Sequence, residues 1–206
     1  MLDQAIVMLD FETTGLSPAM GDRITEVAAL RIVGGEIVER YVSLVNCGVR
    51  IPSFITGLTG ITQAMVDSAP PVDEVVPQLL DFIGSDALSA HNASFDEKFL
   101  RAEAEQLELA PRHQSLVCSL KLSRRVFPEL SSYKLGDLSR SLGIRFGGNA
   151  HRAEADAEVA AQVLIHIGRH LRSHHGIDQV DTDLLVAVNK LAAAKVPQFL
   201  KKRSGQ

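Results

Sequence analysis

VMLDFETTGLSP, Val7 to Pro18, begins as an apolar run, places two carboxylates, Asp10 and Glu12, and then turns through Thr13-Thr14-Gly15. The apolar part, Ala5 to Asp10, has the length and composition of a buried strand. Side chains two apart on a strand point to one face. Asp10 and Glu12 therefore project together from the end of that strand. Like charges so placed repel unless something neutralises them. A divalent cation does so, and clustered carboxylate oxygens suit Mg²⁺ or Mn²⁺. Two acids are equally at ease at the solvated end of an edge strand, and the pair alone does not separate the two readings.

Outward from this strand, Asp22 to Val33 is rich in Ile, Val, Ala and Leu, and Glu36 to Val45 alternates. VGGEIV between them is a hairpin signal, so the first third reads as three strands, at least two of them antiparallel. Pro52 to Thr62 reads as loop plus short helix. Val72 to Ile83 has helical apolar spacing, with Pro77 predicting a kink or a late start. Ala87 to Ala90 is a short strand ending at His91, followed by a helix over Phe95 to Leu107 with Ser94 as its cap. Ser115 to Cys118 is a further strand. Helices follow at Leu135 to Leu142, closed by Gly143, at Ala153 to Leu171, and at Val180 to Val196. The basic end, Lys201 to Gln206, is expected to fray. Strands first, then helices alternating with short strands, give an α/β domain. Its mixed five-stranded sheet has a three-stranded antiparallel part and is flanked by helices.

The 206 residues suffice for one domain with a sizeable core, expected over 1–175, with a helical extension and basic tail over 176–206. Hydrophobic residues are 46% and charged residues 22%, an ordinary globular balance. Aromatics are 5% and Trp is absent, which argues against a surface of stacked aromatics. Net charge is −4 and the pI is near 6.0, so global charge gives no sign of a nucleic-acid binder, whose grip on phosphates usually needs a basic face. Acidity counts against a tight nucleic-acid binder but not against an enzyme whose metal ions supply positive charge. Cys47 and Cys118 form no metal-ligand spacing and read as reduced core residues. Asp3, Asp10 and Glu12 exclude the basic-then-apolar layout of a signal peptide, and no uncharged apolar run spans a membrane. The expected location is cytoplasmic.

Two further segments carry acids to strand ends. In SAHNASFDEKFL, Asp96 falls in the first turn of a helix that follows a strand. Open α/β sheets place ligands there, although the helix dipole alone also favours an acid. In AHRAEADAEVAAQVL, His151 and Asp156 are five apart, a spacing that does not share a helix face. His151 then lies in the loop before the helix and Asp156 one turn inside it, which suits a general base beside a fixed ligand. Glu154 and Glu158 are expected to face solvent.

DFETTG, HNASFD and HRAEAD, in this order from Asp10, His91 and His151, resemble the DnaQ-like (DEDDh) family of 3′→5′ exonucleases, on the ribonuclease-H-like fold. The resemblance runs from about Ile6 to about Leu171. It implies that Asp10, Glu12, Asp96 and Asp156 hold two divalent cations, Mg²⁺ or Mn²⁺. It makes His151 the base that deprotonates the attacking water. Thr13, Thr14, Gly15 and Leu16 would meet the terminal nucleotide through backbone amides and a wedge at the base, with Asn92 and Phe95 nearby. Gly15 is expected to adopt a backbone conformation other residues resist. The substrate implied is the 3′ end of single-stranded nucleic acid, DNA ahead of RNA, with a DNA polymerase subunit as a candidate partner. An exoribonuclease and a non-catalytic polymerase-binding module are the alternatives; retention of all four acids and the histidine argues against the latter. Cys118-Ser119 departs from the Asp-Thr pair the family often carries there.

Two remaining features have plain readings. His166, His170 and His174 share a helix face beside Arg169 and Arg172, and are expected as a solvated face rather than a metal face. Lys190, Lys195, Lys201, Lys202 and Arg203 are a solubilising tail or a nucleic-acid or partner contact. No GxxxxGK[ST] motif is present.

Overall fold

The computed structural model describes residues 2–145, 147 and 151–204. The strands are β1 (Ile6–Thr13), β2 (Ile24–Val33), β3 (Glu36–Leu44), β4 (Ala87–Ala90) and β5 (Leu116–Cys118). The helices are α1 (Ser53–Thr59), α2 (Gln63–Asp67), α3 (Val72–Ile83), α4 (Ala93–Gln106), α5 (Ser119–Val126), α6 (Leu135–Ser141), α7 (Ala153–His175), α8 (Thr182–Lys190) and α9 (Val196–Arg203).

The sheet has five strands in the order β3-β2-β1-β4-β5. β1, β2 and β3 pair antiparallel, and β4 and β5 add in parallel to β1. The hairpin turns on Gly34 and Gly35, both at positive φ (60° and 81°), as the tight primed turns require.

Strand alternation divides the core. Ile6 and Met8 face α7, together with Ala28, Leu30 and Ile32 of β2. Val7, Leu9 and Phe11 face α3 and α4, with Val27 and Ala29. Asp10 and Glu12 continue the α7-facing row of β1, and Glu26 continues that of β2. Period-two alternation thus sends the acids to the face that α7 covers.

Several local expectations are corrected. α3 starts at Val72 and runs through Pro77 without a late start. Val75, Val76, Leu79, Leu80 and Ile83 are all buried, and that stripe outweighs the roughly 3 kcal/mol cost of an interior proline. The cap of α4 is Asn92 in the left-handed region (φ 83°), not Ser94. α7 continues past Leu171 to His175. Gly176 (φ 62°) ends it, as Gly176 and Ile177 donate to the carbonyls of Arg172 and Leu171.

The run expected as one helix over Val180 to Val196 is two helices, α8 and α9, with an extended break at Leu191. Pro197 has no N–H for an incoming helix and fits only a first turn, where it stands. Lys201–Arg203 form the last turn of α9 rather than a frayed end; Gly205 and Gln206 lie outside the described residues. The histidine face is partly covered. The His170 ring lies 4.8 Å from Phe127 and stacks on His174 at 4.2 Å, while His166 also meets Phe127.

The segment after Gly176 joins the main core through Ile177, Val180, Leu184, Leu185, Val188, Val196 and Leu200. The N-terminus clasps it. Val180 donates to Asp3, Arg172 pairs with Asp3, and Thr182 donates to Gln4. On the outer edge of β5, the Asn189 side chain accepts from the Cys118 N–H (2.7 Å) and donates to the Cys118 carbonyl (3.1 Å). Cys47 and Cys118 are buried free thiols. No helix among the described residues is long and apolar enough to cross a membrane.

Candidate active site

The carboxyl end of β1, the start of α4 and the start of α7 meet around a cavity of about 410 Å³. Asp10, Glu12, Asp96, Asp156 and His151 form its polar wall, and Leu16, Phe54, Leu58 and Phe95 its apolar one. Thr13, Gly15, His91 and Asn92 also line it. A register shift between Glu12 and Thr13 lets β1 leave the ladder here.

Asp96 is 4% exposed, and its Oδ1 accepts the Phe11 N–H at 3.2 Å. This bond ties the first turn of α4 to β1 between the two β1 acids. His151 is exposed and sits at φ 63°, a left-handed conformation that costs a non-glycine residue roughly 1–2 kcal/mol. Its N–H donates to Asp156 Oδ2 at 3.1 Å. A ring nitrogen of His151 and carboxylate oxygens of Glu12 and Asp156 lie within 4.8 Å of one another. Among the described residues no other such trio of metal-type ligands occurs, the histidines of α7 included.

Two predicted residues act differently from expectation. Gly15 is not in the left-handed region; it is needed for space, since a Cβ there would lie 2.4 Å from the Asp22 carboxylate. That carboxylate holds the turn by accepting from the Ser17 N–H and the Thr14 hydroxyl. Thr14 is not among the residues lining the cavity. Its N–H donates to the Arg23 carbonyl, and its hydroxyl accepts from the Arg23 N–H. What Thr14 contributes is the shape of the turn.

Other residues were not singled out from sequence. Phe54 and Leu58 are 69% and 52% exposed, one turn apart on α1. Their i, i+4 spacing was the available signal. His91 has both ring nitrogens engaged, with Ser119 Oγ (3.0 Å) and the Tyr133 carbonyl (2.9 Å). Ser119 thus anchors α5 at the Cys118-Ser119 departure. Two buried glutamates pin the acid-bearing helices to β2. Glu103 of α4 takes Arg23 in a two-point bond (2.8 and 2.7 Å), and Glu26 of β2 takes Arg152 at the start of α7.

Electrostatically the site is a concentration of unbalanced negative charge. Burial, then Asp96, Asp156, Glu12 and Glu26, hold Asp10 well above the usual carboxylate range. Burial pushes Asp96 up to about 8, although the Phe11 N–H opposes this. Glu12 is pushed up to about 7 by burial and the charges of Asp156 and Glu26, with Arg152 opposing. Asp156 is raised by burial, against the His151 N–H. An oxygen-rich donor set that resists ionising by itself fits a hard divalent cation.

The sign of the resulting pH dependence is fixed. Unfolded carboxyls ionise near pH 4, whereas in the folded chain Asp96 is pushed up to about 8 and Asp10 is also held well above the usual carboxylate range. From pH 7 to 9 the folded state therefore holds more protons, and stability falls as pH rises. His91, His113, His166, His170 and His175 have lowered pKa values; their unfolded forms lose the last of their protons just above pH 7, a smaller effect of opposite sign confined to the start of this range. With a chelator, the melting temperature is expected to drop by roughly 2–8 °C between pH 7 and 9. This takes about 1–2 kcal/mol at about 2–4 °C per kcal/mol. Added Mg²⁺ or Mn²⁺ should flatten the curve. A chelated protein whose melting temperature holds or rises over this range contradicts the reading.

Comparisons with known proteins agree on one family. A family model described as Exonuclease matches residues 7–164. The chain is 36% identical over 177 residues to the DNA polymerase III subunit epsilon of Aquifex aeolicus, covering 86% of this chain and 87% of that protein. It is 35% identical over 209 residues to the PolC-type DNA polymerase III of Caldanaerobacter subterraneus. There the match covers 99% of this chain but spans only 15% of the relative's length. Among solved structures, exonuclease X in complex with 5′ overhanging duplex DNA superposes with a TM-score of 0.65 at 25% identity. That match covers 95% of this chain and 99% of the other.

Proposed function

The chain belongs to the exonuclease family, and on that premise we propose that it removes mononucleotides from the 3′ end of single-stranded DNA by metal-dependent hydrolysis. The observation that carries this reading is the convergence of Asp10, Glu12, Asp96, Asp156 and His151 on one cavity. DEDDh exonucleases use divalent metal ions, and here the four carboxylates would hold two, Mg²⁺ or Mn²⁺. When bound, these ions neutralise charge developing on the phosphoryl oxygens and acidify the attacking water.

The chain's own residues do the rest. His151 accepts the water's proton on the ring nitrogen that faces Glu12 and Asp156. The water oxygen bonds to phosphorus as the bond to the preceding 3′ oxygen breaks, which releases a mononucleotide and a new 3′ end. Leu16, Phe54, Leu58 and Phe95 give the terminal base an apolar seat and limit water around it. Thr13, Gly15 and Asn92 line the same cavity and would meet the terminal nucleotide, and Thr14 shapes the turn.

DNA is preferred over RNA because the relatives matched over most of this chain are named as DNA polymerase components. The match along 87% of an epsilon subunit supports a polymerase as partner, and the exposed Lys201, Lys202 and Arg203 are a place to test for it. Residues 1–175 carry the site and 176–206 buttress it. Two buried free thiols accord with a reducing, cytoplasmic setting.

The test is a 3′-labelled DNA oligonucleotide incubated with Mg²⁺ or Mn²⁺, beside an RNA of the same sequence. Label is expected to be lost only with metal, faster from DNA. His151→Ala should slow it by about 10²–10⁴-fold, the usual worth of a general base. Metal-independent loss, or a His151→Ala enzyme as fast as the wild type, sinks the proposal.

A further inference from the structure

We propose that Glu26 is a positioning residue that, through Arg152, fixes where His151 stands over the acids. The inference rests on the reading of His151 as the proton acceptor. Glu26 is a carboxylate 3% exposed, on a strand whose residues need no charge to pair. Its cross-strand partner is Glu12, so the two acids are neighbours on the α7 face. Such a pair disfavours folding unless the second acid has work elsewhere.

Its work is visible in its bonds. The Arg152 Nη2 donates to Glu26 Oε1 at 2.6 Å, and Arg152 Nε donates to both carboxylate oxygens at 3.1 and 3.2 Å. Glu26 Oε2 also accepts the Ala153 N–H at 2.9 Å. Arg152 has no side-chain cap to offer α7, and a carboxylate from β2 supplies the missing acceptor instead.

Arg152 directly follows His151. On one side the His151 peptide is held by its N–H to Asp156 Oδ2, and on the other by the Arg152–Glu26 clamp. Between these anchors the backbone is held at φ 63°, where a histidine does not rest unaided. The imidazole itself is exposed, so its placement comes from the backbone beneath it rather than from packing around the ring. A carboxylate that never touches substrate thereby sets the position of the group that does. Glu103, on the other acid-bearing helix, accepts from Arg23 and the Ile24 N–H at the start of β2, but no exposed catalytic side chain hangs from that joint.

The test combines Glu26→Gln with His151→Ala and measures kcat and KM for 3′ end removal. Glu26→Gln keeps the shape but weakens a charge-assisted clamp. It is expected to lower kcat by about 10–10²-fold, the scale of a 1 Å misplacement, with KM within about threefold. In the His151→Ala background it should lower kcat by less than about twofold, because the group it positions is gone. Arg152→Lys, which keeps the charge and loses the fork, should fall between wild type and Glu26→Gln. Amide resonances of His151 and Asp156 give a readout independent of turnover, and both should move in Glu26→Gln while the protein still melts cooperatively. Equal kcat losses in the two backgrounds, or unmoved amide signals, overturn the proposal. If the wild type lacks 3′ exonuclease activity, the functional reading fails and the resonances alone decide the placement. If Glu26→Gln does not fold, Arg152→Lys carries both measurements.

Discussion

Asp10→Asn is expected to cost at least about 10³-fold in the rate of 3′ end removal while raising the melting temperature of the metal-free protein. The two effects have one cause. Asp10 is surrounded by Asp96, Asp156, Glu12 and Glu26, and burial adds to their repulsion. A carboxylate there is useful only to a cation. Losing several kcal/mol of transition-state charge stabilisation corresponds to about three powers of ten in rate. Without metal, a neutral amide of the same shape relieves repulsion that the folded chain otherwise carries. The gain in melting temperature should be largest near pH 9, where the neighbouring acids are most ionised. Label release and chelated melting curves at pH 7 and 9 check both halves. A variant that is inactive and also less stable at pH 9 would mean that Asp10 is held by the fold rather than against it.

Cutting the chain before Gly176 is expected to leave no cooperative fold. The cut removes Ile177, Val180, Leu184, Leu185, Val188, Val196 and Leu200, all buried against α7 and its neighbours. At about 1.5–3 kcal/mol for each of these side chains, roughly 10–20 kcal/mol of burial goes, of the same order as the roughly 5–15 kcal/mol by which domains are stable, and α7 is left with an apolar face in water. It also strips Asp3 and Gln4 of their partners in the segment and bares Leu2. Thermal melting and amide dispersion of the 1–175 chain are the measurements. A sharp transition near that of the full chain would show that the segment is an appendage. The practical consequence concerns partner mapping: substitutions at Lys201, Lys202 and Arg203 are the informative variants, because a truncation would abolish binding by unfolding.

Strand alternation and helix starts mark where the acids stand, and the three ordered motifs that resemble a known family are what make a ligand set of them. Asp10 and Glu12 share a face by period two alone, and Asp96 and Asp156 follow from helix boundaries. His151 was placed by exclusion, five residues being the wrong spacing for one helix face. Glu26 left no such mark. It stands in an apolar strand, and only the return of α7 along the sheet, 126 residues later, gives it Arg152. The apolar seat was hidden for the same reason, since Phe54 and Leu58 come from a short helix far from the acids in sequence. Gly15 was assigned the wrong cause because a missing side chain can serve torsion or space, and only the position of Asp22 distinguishes them. Pro77 and Pro197 have opposite outcomes from one rule. Pro77 sits over a stripe of buried residues strong enough to carry it, whereas Pro197 begins a new helix.

The bonds between Asn189 and Cys118 make the sheet one-ended. A side-chain amide stands where a sixth strand would dock, and α8 keeps it there. Strand addition, whether by a peptide or by another copy of the chain, is left only the margin of β3. That margin carries exposed Glu36, Glu39 and Arg40, charges that discourage edge pairing. Pairing through the sheet would therefore stop at two copies joined edge to edge, against the charge on β3, and Asn189→Ala is expected to bare the second edge that growth beyond a pair requires.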